Sequence, residues 1–93
     1  MFERILRVLR DRVRSRRFVV TLHAEEEIAD DGLTIFDVER CMLSGRIVER
    51  QKDSETGEWK YLVQGEAVTK DEIVVVCKLG FTGKVVIITV YRV

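Results

Sequence analysis

The hydrophobic period of this chain changes once, at Gly45, and that change limits what it can fold into. Before Gly45, apolar residues recur every three or four positions, the period of a helix buried on one side. From Arg46 onward they recur every second position, the period of a half-buried strand. A chain that is helical first and extended afterwards folds as α+β, with its helices gathered on one face of an antiparallel sheet. Proline is absent, so no element is forced to break. Ninety-three residues suit one core, and residues 1–93 read as a single domain.

The helical half divides into three. Phe2, Ile5, Leu6, Leu9 and Val13 make one stripe of a helix over about 2–16. Residues 18–21 read as a short extended link. Thr21 caps a second helix over about 22–31, with Glu25, Glu26 and Glu27 near its positive end. Thr34 and Asp37 form a capping box for a third over about 35–44, Leu33 and Val38 staple it, and Gly45 reads as the residue that turns the chain out of it. The extended half predicts strands over about 46–52, 58–64, 72–79 and 84–92. Hairpins are expected at Asp53–Gly57 and Gly80–Gly83. The first strand is charged and suits an edge, whereas the last two are apolar on both faces and suit the centre. The expected architecture is three N-terminal helices on one face of a four-stranded antiparallel meander.

Charge is balanced overall, with 16 basic and 16 acidic residues, but it is segregated. Residues 1–17 carry seven arginines against Glu3 and Asp11, and residues 22–45 carry seven acids against Arg40. Part of the arginine charge is therefore expected to neutralise the acidic helices within the fold. No apolar run approaches the roughly 18 residues of a membrane span. The arginine-rich start lacks the apolar core of a signal peptide, so a cytoplasmic location is expected, with no membrane partner. Cys41 and Cys77 fit no metal-ligand spacing and read as buried, inert thiols.

The residues able to carry chemistry are few. His23, the only histidine, precedes Glu27 by one helical turn. That pair is either an oriented general acid or base, or a structural contact at a helix start. The carboxylates of 25–31 spread around a helix and read as a solvated or arginine-facing surface; no metal is expected. The strand half offers Arg46, Arg50, Lys52, Lys60, Tyr61, Lys78, Tyr91 and Arg92. A cation facing the core would cost several kcal/mol unless paired, which suggests an open sheet face able to bind phosphate and stack bases. The same residues are equally consistent with a scattered charged rim.

Several stretches carry a resemblance: Val20-Thr-Leu-His-Ala-Glu-Glu-Glu-Ile, Asp31-Gly-Leu-Thr, Asp37-Val-Glu, Leu43-Ser-Gly-Arg-Ile-Val-Glu and Ile88-Thr-Val-Tyr. Together they resemble the small prokaryotic domain-of-unknown-function family 4258 over about residues 18–93. The whole chain, first helix included, also resembles the RelE-like ribonuclease toxins of the motility quorum-sensing regulator type. That second resemblance implies a RelE-like fold and cleavage of messenger RNA without a metal or cofactor. It also implies restraint by a cognate antitoxin of zinc-finger or helix-turn-helix type. Carried over by position, Arg50 takes the place of a first-strand lysine. Lys60, after Trp59, takes that of a glutamine, and Arg92, after Tyr91, that of a last-strand lysine. The toxins' third-strand tyrosine has no counterpart, and His23 matches the first family but not the toxins.

The resemblance therefore implies a type II toxin acting as a metal-independent endoribonuclease. Arg50, Lys60 and Arg92 would steady a phosphorane, while Tyr61, Tyr91 or His23 would move protons or stack a base. Arg46, Lys52 and Lys78 would hold the RNA backbone. The alternative is a non-catalytic protein of the same fold that binds nucleic acid or a protein partner. Zero net charge favours it slightly, and a homodimer is left open.

Overall fold

A computed structural model describes residues 1–93. The order is α1 (Glu3–Arg14), β1 (Phe18–Val20), α2 (Leu22–Asp30), α3 (Ile35–Ser44), β2 (Arg46–Lys52), β3 (Trp59–Glu66), β4 (Glu72–Leu79) and β5 (Val85–Arg92). The architecture is α+β with three helices, as the change of period requires. The sheet differs from the expected meander. It has five strands in the order β1-β5-β4-β3-β2, and it is mixed. The added strand is Phe18–Val20, read from sequence as a link, which pairs in parallel with β5. The Val85 N–H donates to Arg17 O and the Thr21 N–H donates to Ile87 O, both at 3.0 Å. Three residues wedged between two helices show no period, and their partner lies more than sixty residues away. The remaining pairs are antiparallel, with β2 at the edge and β4 and β5 inside.

The helices end where their caps place them. The Thr21 hydroxyl accepts from the Ala24 N–H at 3.1 Å and starts α2. One Asp37 oxygen accepts from the Thr34 N–H at 2.7 Å, and the other accepts from the Val68 N–H at 2.8 Å. Asp37 thus closes the start of α3 and anchors the turn after β3, which explains a buried acid.

Ala24, Ile28, Val38, Cys41 and Met42 from the helices meet Val63, Ile73, Val75, Cys77, Val85, Ile87 and Val90 on one sheet face. Leu9 and Val13 of α1 complete the core. α3 lies across β3 and β4, α2 lies along β5, and α1 rests on α3. The end of α3 meets β3 backbone to backbone. Gly45, expected in a left-handed turn, has φ −84° and is extended. It is needed for closeness instead, because a Cβ there would run into the Gln64 carbonyl. A Cβ on Gly65 would stand 2.8 Å from Gly45 Cα and 2.9 Å from Cys41 O.

The arginines of residues 1–17 mostly do not meet the acids of α2 and α3. Only Arg16 approaches one of their acids, Glu39, at 3.8 Å. Arg10 instead donates to Met42 O at 3.2 Å and to Gly45 O, capping the negative end of α3. Arg12 donates to Gly83 O at 2.9 Å, tying α1 to the β4–β5 hairpin. Arg17 and Arg12 share Asp11 of their own segment.

Three measurements check this packing. Gly65→Ala should destabilise the fold by about 1–3 kcal/mol in urea unfolding, because backbone on both sides cannot yield. Burial pushes the Cys41 and Cys77 thiols up to about 12. Both should therefore resist a thiol reagent at pH 8 in the folded protein and react once unfolded. A thiol pKa raised on folding gives stability that is full below pH 9 and lost as pH rises towards 12, so unfolding should become easier above pH 9.

Candidate functional site

Strand alternation sorts the candidate residues between the two faces of the sheet. Tyr61 is set opposite Arg50, and Trp59 opposite Lys52. Tyr61 packs on the core, so this group lies on the helix-bearing side, next to the start of α1. Lys60 and Leu62 of β3 and Val74, Val76 and Lys78 of β4 point to the opposite side. No helix covers that side. Arg50 and Lys60, expected to act together, therefore stand on opposite faces of the sheet.

On the open face, Lys60 and Lys78 do converge. The register pairing Tyr61 with Cys77 sets Lys60 opposite Lys78 at the next step. Both line a cavity of about 270 Å³ with Thr21, Thr56, Glu58, Val86 and Ile88. Two cations facing each other across strands repel, and an acid relieves this: Glu58 Oε1 lies 3.1 Å from Lys78 Nζ. Lys60 has no such partner. Asp53, on the same rim, accepts from the Glu55 and Thr56 N–H groups at 2.9 and 3.1 Å. Those N–H groups hold its carboxyl below the usual range, helped by Lys60 and Lys78. The cavity thus joins two carboxylates, a free ammonium and a paired one beside an apolar wall. Glu58 was not singled out from sequence. Its only signal is its place just before Trp59, and its meeting with Lys78 depends on a register set by the turn after β3.

On the helix side, Arg50 and Tyr61 line a second cleft of about 370 Å³ with Met1, Phe2, Arg4, Ile5 and Val8. The Arg50 guanidinium lies 4.1 Å from the Trp59 ring centre, and Lys52 Nζ lies 5.6 Å from it.

The other candidates stand apart from both groups. Arg92 donates to Asp71 and to Asp31 O, each at 2.8 Å, and it holds the Asp71 carboxyl below its ordinary range. Tyr91 is paired opposite Val74 on the open face and is half-exposed. Arg46 is exposed at the start of β2. His23 Nε2 lies 3.4 Å from Glu27 Oε1, with the imidazole mostly exposed. That Glu27 oxygen already accepts from the Val90 N–H at 3.1 Å and from the Thr89 hydroxyl. Glu27 thereby closes the edge of β5 beyond its pairing with β1, and His23 rests against this structural contact.

No group of three His, Cys, Asp or Glu side chains converges as a metal site. No helix is long and apolar enough to cross a membrane. The family model described as "Domain of unknown function (DUF4258)" matches residues 20–92. No curated protein and no solved structure matches the chain significantly.

Proposed function

The chain belongs to the DUF4258 family, and within it we propose a metal-independent endoribonuclease of the RelE-like toxin type. One observation carries this reading: Lys60, Lys78 and Glu58 meet in a single cavity on the uncovered sheet face. RNA cleavage without a metal needs a base for the 2′-hydroxyl, a cation for the phosphorane and an acid for the leaving oxygen. Glu58 is the base and takes the 2′-proton. The freed 2′-oxygen bonds to the adjacent phosphorus, Lys78 faces the charge that builds on the phosphoryl oxygens, and the Lys60 ammonium gives its proton to the departing 5′-oxygen. The products are a 2′,3′-cyclic phosphate and a free 5′-hydroxyl. Val86 and Ile88 form an apolar wall against which a base or ribose can rest. A protein with such an activity would be held in check by a cognate antitoxin of zinc-finger or helix-turn-helix type.

A binding-only reading is favoured by one feature: Glu58 is already paired with Lys78, and Asp53 balances Lys60 on the same rim, which leaves the cavity neutral.

The test is cleavage of single-stranded RNA by purified protein in the presence of a metal chelator, with induction of the protein alone in a bacterial host. Cyclic-phosphate ends and growth arrest are expected. Glu58→Gln should slow cleavage by about 10²–10⁴. Lys78→Ala should slow it by about 10²–10³. Salt-sensitive RNA binding with no cleavage and no arrest would select the binding-only reading.

A further inference from the structure

The geometry points to the cleft on the helix side as a binding site for single-stranded polynucleotide, taking one base and its flanking phosphates. This inference rests on the reading that the protein acts on RNA, but its residues lie on the other sheet face from the cleavage cavity and do not depend on it.

Two cations line the cleft, Arg4 on α1 and Arg50 on β2, and a third, Lys52 of β2, stands 5.6 Å from the centre of the Trp59 ring that Arg50 also approaches. None stands within ion-pair distance of a carboxylate. The arginines that serve the fold behave differently, since Arg10 and Arg12 are tied to backbone carbonyls. Unpaired cations around one cleft form a phosphate-seeking surface. The aromatic part is equally specific. Trp59 is the only tryptophan of the chain, it is 38% exposed, and the Arg50 guanidinium already sits over its ring, 4.1 Å from the centre. An arginine plane seated on an indole presents its outer face to a base, as single-stranded nucleic acid sites use it. Tyr61, two residues along the same face of β3, puts a ring on the cleft wall itself, together with Ile5 and Val8. A volume of about 370 Å³ admits a base that has left its stack. A duplex keeps its base faces covered and would offer only phosphates.

The experiment uses the whole chain and a fluorescent 2′-O-methyl oligonucleotide. This probe cannot be cut, so binding is read separately from cleavage. Binding should change Trp59 emission and raise the anisotropy of the label. Affinity should fall with salt at a log–log slope of about −2, the value for three contacted phosphates on a single strand. Trp59→Ala should weaken binding by about fivefold to a hundredfold, read from the label. Arg4→Ala, on the surface of α1, should weaken it while leaving the fold intact, and Lys84→Ala at the far hairpin should not. Single-stranded DNA should compete and duplex RNA should compete poorly. Unchanged Trp59 emission, or full affinity in both Trp59→Ala and Arg4→Ala, would overturn the proposal. So would capture of a poly-glutamate peptide in preference to the oligonucleotide, which would assign the cleft to an acidic protein segment. Binding without cleavage would count against the nuclease alone.

Discussion

A β-strand sends successive side chains to opposite faces, and in this protein that rule decides which residues can meet. One face of the sheet is closed by three helices, which bury Val63, Ile73, Val75, Cys77, Val85, Ile87 and Val90. The neighbours of those residues must face the other way, so Lys60 and Lys78 emerge where no helix lies. The same rule carries Arg50 and Tyr61 to the helix side, where the start of α1 leaves a cleft. A one-residue shift in β3 would exchange the two sets and expose the core face. Both candidate surfaces are thus fixed by the packing that stabilises the fold.

The register itself is held at few points. Gly45 and Gly65 let the end of α3 touch β3 without an intervening side chain, and Arg10 gathers the carbonyls at that same end. Glu27 closes the exposed edge of β5 with its carboxylate, and Asp37 joins the start of α3 to the turn after β3. These charged groups act on backbone N–H and C=O groups that would otherwise lack partners. That is why a chain with segregated charge shows few ion pairs between its basic and acidic halves. The helix ends and the sheet edge use the charge first.

Much of the fold is legible in the sequence. The change of period at Gly45, the Thr21 cap and the Thr34–Asp37 box place three helices and four strands to within about two residues. The fifth strand is hidden because Phe18–Val20 is too short to show alternation and its parallel partner is remote. The role of Gly45 is misread because a helix-ending glycine looks the same whether it supplies a left-handed turn or a close approach. The candidate site is only half legible. Cations on strands can be listed, but which of them meet depends on which face each strand buries and on a register set through intervening turns. Lys60 and Lys78 converge, Arg50 and Lys60 separate, and Glu58 enters unannounced because its partner comes from the next strand but one in the chain.

We propose that one sheet presents two nucleic-acid surfaces, a reactive cavity on its open face and a stacking cleft on its helix side. Backbone amide NMR of the labelled protein, titrated with a 2′-O-methyl oligonucleotide of eight or so residues, tests this most directly. Two separate sets of perturbed resonances are predicted. One is centred on Lys60, Lys78 and Val86, and the other on Arg4, Arg50 and Trp59. Perturbations confined to α2 and α3, or no perturbation at all, would mean that neither surface takes nucleic acid.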